Sequence, residues 1–319
     1  MALVPGAPGG ATPMMNTEID AEGIDRPVFV LGTGRSGLTP LMDLIAYHRA
    51  FAWPSQYNDR WPNVARVSAL SRLVDVPPFR GPWKLTRVVP KHAESYKLWN
   101  RCYPGFAEPF RDLTFEDTTE WSRTLFRDAV SGIMRYQRKP MFIAEYSGWS
   151  RMGFLRGIFP DAKFIHVVRD GRAVAHSYTN VEWWNGWQGI HRWRLGMPDD
   201  DVLAKLDHYR YSFLALAAVY WKILVSNIAE ASREIPPEDV LVVRYEELVT
   251  DPHKEAQRCI EFCGLTVDLG FRRHLGTVSI VDANTKKLRI PPWRESLDSA
   301  QIEMMHDLIG DELARFSYL

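Results

Sequence analysis

Four short stretches of the chain are apolar almost without interruption: "VFVLG" from Val28, "MFIAEY" from Met141, "KFIHVVRD" from Lys163 and "VLVVRYEEL" from Val240. A strand with one wet face alternates polar and apolar residues. Continuous runs of this length therefore predict strands buried on both faces, as in a parallel sheet. Helix-like sequence follows each run, and that order predicts a doubly wound α/β sheet with functional residues at the carboxyl ends of its strands. After the last run, "TDPHKEAQRCIEFCGL" reads as a helix. Asp251 caps it, Pro252 takes its first position, Ala256, Cys259, Ile260 and Cys263 form one face, and Gly264 stops it.

Elsewhere the pattern weakens. Residues 50–125 and 181–201 are rich in Trp, Pro and Arg with little periodicity, and they read as irregular or short-helical walls around a site. Residues 1–24, with much Pro, Gly and Ala, read as a loose tail, so that one domain is expected over 25–319.

Composition narrows the partners. Of 319 residues, 46% are apolar, enough for a substantial core, and Lys plus Arg equals Asp plus Glu at 39 each. No overall field favours nucleic acid, so any anion site must be built locally. Cys102, Cys259 and Cys263 fit no disulfide or metal framework and read as reduced core residues. His48, His92, His166, His176 and His191 show no metal-ligand spacing, and His166, inside a strand run, reads as a core histidine. No apolar run approaches the roughly 20 residues of a spanning helix, and the start lacks the order of a signal peptide, so the expectation is a cytoplasmic protein without stable membrane insertion.

Chemistry enters at "GTGRSGLT", between the first run and its helix. Gly32, Gly34 and Gly37 allow a tight turn with N–H groups pointing inward, and the helix N-terminus that follows favours an anion. The nucleoside-triphosphate pattern is Gly, four residues, Gly, Lys, then Ser or Thr. Gly32, Gly37 and Thr39 match it, but Leu38 stands where the lysine belongs. A γ-phosphate and its magnesium would be poorly served, which argues against an ATP-dependent kinase or nucleotidase; taken alone, the stretch also fits a glycine turn that binds nothing. The third run delivers Arg169 to its end, and Ser177 follows two helical turns later. A guanidinium fork and a hydroxyl suit a phosphate dianion; an Arg169–Asp170 surface pair is the alternative.

"GTGRSGLT" and "RDGRAVAHS" together resemble the sulfotransferases that use 3′-phosphoadenosine-5′-phosphosulfate (PAPS) and release its desulfonated product PAP. The resemblance extends to "FPDAKFIHVVRD", "RYEELVTDPHKEAQRCIEFCGL" and "PPWRESL", and so covers most of the chain from Arg26; it is closest to actinobacterial-type members with a "WWNGW" stretch. It implies a P-loop-like central parallel β-sheet flanked by helices, and transfer of a sulfuryl group to a hydroxyl or amine of a small-molecule, carbohydrate or lipid acceptor. No metal is implied, and a homodimer stays open. Gly34, Arg35, Ser36, Gly37, Leu38 and Thr39 would hold the 5′-phosphosulfate, with Arg35 at the catalytic cation's position. Arg169 and Ser177 would take the 3′-phosphate, and Tyr245 would lie near the adenine or serve as a core tyrosine.

Two departures stand out. Leu38 replaces the family's usual Thr, which removes one hydroxyl. The positions where members carry a base or its neighbours hold Ser147, Glu145 and Gln56 here, which leaves open a relative that binds nucleotide without turnover. Glu145 is the first candidate base and Asp59 the second, with a Glu145–Arg151 ion pair as the structural alternative. Trp183, Trp184, Trp187 and Trp193 read as packing of a lid, or else as a wall for the acceptor. In "NTKKLRIPPWRE", Lys286, Lys287 and Arg294 are candidates to close over the nucleotide, or lie in a solvated loop.

Overall fold

Five parallel strands form the sheet: β1 (Val28–Gly32), β2 (Phe51–Ala52), β3 (Met141–Ser147), β4 (Lys163–Val168) and β5 (Val240–Arg244), in the order β2-β3-β1-β4-β5. This is a computed structural model, and it describes residues 23–76, 89–278 and 293–319. Lys286 and Lys287, and the expected tail up to residue 22, lie outside the described residues. Ile24, assigned to the tail from sequence, is instead buried beside Phe29 and Leu31, because its apolar side chain finds cover against the sheet.

The four apolar runs are β1, β3, β4 and β5. The two-residue β2 is too short to carry a pattern, and "YEEL" is helical rather than strand, since the chain leaves the sheet at Arg244. Before β3 come α1 (Leu38–Ile45), α2 (Gln56–Arg60), α3 (Tyr96–Cys102) and α4 (Glu120–Gln137). Next come α5 (Met152–Ile158) before β4, and α6 (Gly171–Tyr178), α7 (Asp200–His208) and α8 (Phe213–Ala231) before β5. The chain ends with α9 (Tyr245–Thr250), α10 (Pro252–Phe262), α11 (Leu269–Thr277), α12 (Trp293–Ser296) and α13 (Ser299–Arg315).

Strand alternation sorts the core into layers. Phe29, Leu31, Phe142, Tyr146 and Phe164 face Trp99, Phe126 and Phe154 of α3, α4 and α5. On the other side Val30, Ile143, Ile165 and Val243 meet Leu41 and Met42 of α1 and Cys259 and Ile260 of α10. Each such side chain taken out of water contributes about 1.5–3 kcal/mol, so the covered sheet needs no polar face. The expected α10 forms as read, with the Asp251 carboxylate accepting from the Lys254 amide and Gly264 at φ 75°. A third cluster joins α6, α8 and α13 around Trp221, Leu216 and Met305. One segment, Phe213–Glu234, is long and apolar enough by length and composition to cross a membrane, contrary to the reading of the bare sequence; half of it is buried inside this cluster.

β1 is central, and its last residue, Gly32, is level with Ser147 of β3 and Val167 of β4. Chain connections diverge to either side of it, so the loop after β1 opens into the crevice at the sheet's switch point.

Candidate active site

The loop that leaves β1 runs through Thr33–Gly37 before α1 begins at Leu38, with Pro40 in the first turn where its missing N–H does no harm. Gly37 caps α1 at φ 106°, and a Cβ there would lie 2.4 Å from Cδ2 of Tyr245, so both backbone and space demand glycine. Arg35 also has a left-handed backbone, at φ 67°, which is strained for a side chain of its size.

Arg35 is held there by two partners distant in sequence. Its carbonyl oxygen accepts a 2.7 Å hydrogen bond from Arg169, and its Nε donates to Ser177 Oγ at 2.8 Å. Arg169 lies one residue past β4 and stacks over the Tyr245 ring, with its guanidinium carbon 4.2 Å from the centroid. The loop, the ends of β4 and β5, and the last turn of α6 thus converge. Asp170, the partner expected for Arg169 in the alternative reading, caps α6 and binds Arg172 at 2.9 Å.

Over the other side of the loop, the Tyr178 hydroxyl would lie 2.8 Å from a Cβ on Gly34, and the edge of Trp183 3.4 Å away. The hydroxyls of Thr33 and Ser36 are buried without a hydrogen-bond partner in the described structure. A buried hydroxyl left so costs about 1–3 kcal/mol, an investment that a bound oxyanion would recover. Leu38 does not line this cradle. It is buried among Val30, Leu41 and Ile165, its Cδ2 3.3 Å from a Cβ on Gly32.

Beneath the loop lies a chain of ionisable groups that the sequence did not reveal. Glu145 Oε1 is 2.7 Å from His92 Nδ1, and His92 Nε2 is 2.9 Å from Asp43 Oδ1. Burial disfavours charge on His92, yet the charge of Glu145 and the hydrogen bonds with Asp43 and Glu145 outweigh it and push the imidazole up to about 10. At neutral pH His92 is an imidazolium between two carboxylates. Glu145 does not pair with Arg151, whose guanidinium instead donates to the carbonyl oxygens of Phe106, Ala107, Ser147 and Trp149. Asp59 accepts from the Lys97 amide at 2.9 Å and so ties α2 to α3, whereas Gln56 bonds the backbone of Val89 and Lys91 and ties it to the segment before α3.

A further carboxyl escaped the sequence reading. Glu94 lies between His92, bound to Glu145, and Tyr96, bound to Ser147, the residue level with Gly32. Burial first, and then the charge of Glu145, push it up to about 7 against the opposing influence of Ser147 and Arg151. The Tyr96 hydroxyl braces the same place by accepting from the Ser147 amide at 2.9 Å. His92 and Glu94 stand in "PKHAESYK", where neither spacing nor periodicity marks them.

The tryptophans divide. Trp184 and Trp193 are buried in the cluster around α8, whereas Trp183 and Trp187 are more than half exposed. Arg294 is exposed, stacks on Trp293, and lines a cleft with Arg172, Arg244 and Tyr318. Among the described residues no group of three or more His, Cys, Asp or Glu could hold a metal ion.

A sequence model of the sulfotransferase family matches residues 27–268. An omega-hydroxy-beta-dihydromenaquinone-9 sulfotransferase of Mycobacterium bovis is 24% identical over 274 residues, covering 76% of this chain and 63% of that protein; the Mycobacterium tuberculosis protein of the same name gives the same figures. The chain thus spans less than two thirds of the length of these curated relatives. Among solved structures, a sulfotransferase of Mycobacterium avium aligns with a TM-score of 0.56 at 14% identity, covering 92% of this chain and 77% of that one. A second, from Mycobacterium tuberculosis, aligns at 0.51 and 13%, covering 90% and 76%. These structural likenesses speak for the fold, and the family match over most of the chain says more: this chain belongs to the sulfotransferase family.

Proposed function

We propose that the chain transfers a sulfuryl group from PAPS to a hydroxyl of a small-molecule, carbohydrate or lipid acceptor. The observation that carries this reading is the convergence of Arg35, Ser177 and Arg169 around a phosphate-type loop whose lysine position is filled by a core leucine. A triphosphate site needs a cation at that position and a metal. A phosphosulfate anhydride needs neither; it needs N–H donors, a cation near the leaving oxygen and a separate site for the 3′-phosphate.

In this reading the amides of residues 34–39 and the hydroxyls of Ser36 and Thr39 hold the 5′-phosphosulfate at the start of α1. Arg35 sits where negative charge grows on the oxygen that stays with the phosphate, and fixed donors of that kind supply much of the rate. Ser177 and Arg169 recognise the 3′-phosphate, and Tyr245, already stacked on Arg169, offers its ring beside the adenine. Trp183, half-exposed over Gly34, forms a wall of the acceptor entrance. The Mycobacterium relatives are named for a hydroxylated lipid quinone, which puts hydroxylated lipids first among acceptors to try.

The test is a melting comparison followed by transfer. Ligand at 100 times its dissociation constant stabilises by about 2.7 kcal/mol, a shift of several degrees for a chain of this size. PAP is expected to raise the melting temperature and ATP with magnesium is not. Labelled PAPS with 4-nitrophenol, dodecanol and glucose is then expected to label at least one of them. Stabilisation by ATP alone, or transfer to none of the three and no sulfate release to water, overturns the reading.

A further inference from the structure

Resting on that reading, we propose that Glu94 is the general base that takes the proton from the acceptor hydroxyl, through a carboxylate set beside Ser147 at the mouth of the phosphate loop. Sulfuryl transfer forms a bond from the acceptor oxygen to sulfur and breaks the bond from sulfur to the bridging oxygen. That oxygen departs on the 5′-phosphate of PAP, and the acceptor's proton needs somewhere to go. A base must therefore stand on the open side of the loop, across from Arg35, within hydrogen-bond reach of an incoming hydroxyl.

Of the carboxyls near the loop, Glu94 meets that requirement by position. It stands two residues after His92, which binds Glu145, and two before Tyr96, whose hydroxyl binds Ser147 at the level of Gly32; the next residue, Gly148, donates its amide to the Gly32 carbonyl oxygen at 3.0 Å. Its electrostatic influence reaches the Tyr178 hydroxyl, which lies over Gly34 and also feels Arg35. As a residue it is less deeply covered than Glu145, which is 3% exposed and engaged through Oε1 by His92. Asp43 is the other arm of that ion chain, and Asp59 is occupied with Lys97.

The groups around Glu94 set its working range. Glu145 on β3 repels a second negative charge, whereas Arg151 at the start of α5 and the polar groups of Ser147 favour it. Tyr96 on α3 and Tyr178 on α6 face it as neutral phenols, since burial holds both hydroxyls protonated well above their ordinary range. A carboxyl raised to about 7 is a stronger base than an ordinary one and is still substantially ionised at neutral pH, the compromise that suits proton transfer.

The experiment compares the full chain with Glu94→Gln and Glu94→Asp, using labelled PAPS with 4-nitrophenol, dodecanol, glucose and water as acceptors. PAP binding is followed by thermal shift on each protein, which also verifies folding. Expected for Glu94→Gln are unchanged PAP stabilisation, a fall in kcat of about a hundredfold or more, and loss of the limb in kcat/KM that rises with pH to about 7 in the wild type. Glu94→Asp should recover part of the rate and keep the limb. If the wild type transfers sulfate and Glu94→Gln matches it with the same pH profile, Glu94 is not the base while the sulfotransferase reading stands. Failure of PAP to bind the wild type, or transfer to none of the acceptors, removes that reading and the base with it.

Discussion

Arg169 donates a 2.7 Å hydrogen bond to the backbone carbonyl of Arg35, so the residue read as the 3′-phosphate fork also fixes the shape of the loop read as the 5′-phosphosulfate cradle. In the proposed reading both phosphate sites rest on this one interaction, and Arg35 is kept in its left-handed conformation by a partner 134 residues away. Arg169→Ala should lose both functions. A hydrogen bond to a charged group is worth about 1.5–3 kcal/mol, which predicts a loss of about ten- to a hundredfold in PAP affinity, read by titration calorimetry. Arg169→Lys keeps the charge but not the planar fork and should recover only part of the affinity. Wild-type affinity in the alanine variant would show that the 3′-phosphate lies elsewhere.

Gly37 is expected to tolerate no side chain. Gly37→Ala places a methyl 2.4 Å from the Tyr245 ring at φ 106°, and that ring is fully buried and stacked on Arg169, so neither backbone nor neighbour can yield cheaply. A strained backbone of this kind costs about 1–3 kcal/mol before the displaced ring is counted. The variant should melt several degrees lower and bind PAP weakly or not at all. Gly105, at φ 87° but with open space around the added methyl, provides the control: Gly105→Ala pays the backbone strain alone and should leave PAP binding intact.

The sheet and the loop were legible because they rest on local pattern. Short continuous apolar runs, each followed by helix-like sequence, read as doubly covered strands; that holds for β1, β3 and β4, whereas β5 at the sheet edge leaves Val242 exposed, and the glycines between β1 and α1 marked the turn. Arg169 and Ser177 were legible for the same reason, at a strand end and two helical turns on. Glu94 and His92 were not. Their environment comes from packing of the segment before α3 against the end of β3, a contact across 53 residues for His92 and Glu145, and nothing in the local sequence of an irregular wall encodes it. Glu145 was singled out for its place on β3, but the sequence could not say that it faces α1 and an imidazolium. Leu38 was recognised as a departure, whereas its role as a core residue had to await the position of α1.

Two buried histidines should shape stability on opposite sides of neutrality. His92 is raised from about 6.5 to about 10, so its contribution is complete below about 6.5 and is lost as pH rises towards 10. His166, on β4 against Phe316, is lowered by burial to about 3. The unfolded chain takes up its proton first, so the contribution of neutral His166 is complete above about 6.5 and is lost as pH falls towards 3. Melting temperature against pH should accordingly show a flatter acid limb in His166→Leu. His92→Ala should flatten the alkaline limb and, by leaving Glu145 buried without its partner, cost about 3–5 kcal/mol at neutral pH. Parallel curves for variant and wild type would show that these groups do not titrate as described.

Restoring the lysine should not restore a triphosphate site. The position before Thr39 is filled by a leucine 6% exposed, packed with Val30, Leu41 and Ile165 on the sheet side of α1, so a lysine introduced there enters the core rather than the cradle. Its ammonium must lose its proton, drag in water or swing out past Gly32, and the burial of the leucine, about 1.5–3 kcal/mol, is forfeited in each case. Leu38→Lys is therefore expected to melt several degrees below the wild type and to gain no stabilisation from ATP with magnesium. PAP should still bind, because the amides of the loop, Arg35, Ser177 and Arg169 are left in place. Melting curves of the variant with each nucleotide decide the matter: a rise with ATP and magnesium that PAP does not produce would show that position 38 does face the ligand, and that a single side chain separates this loop from a triphosphate loop.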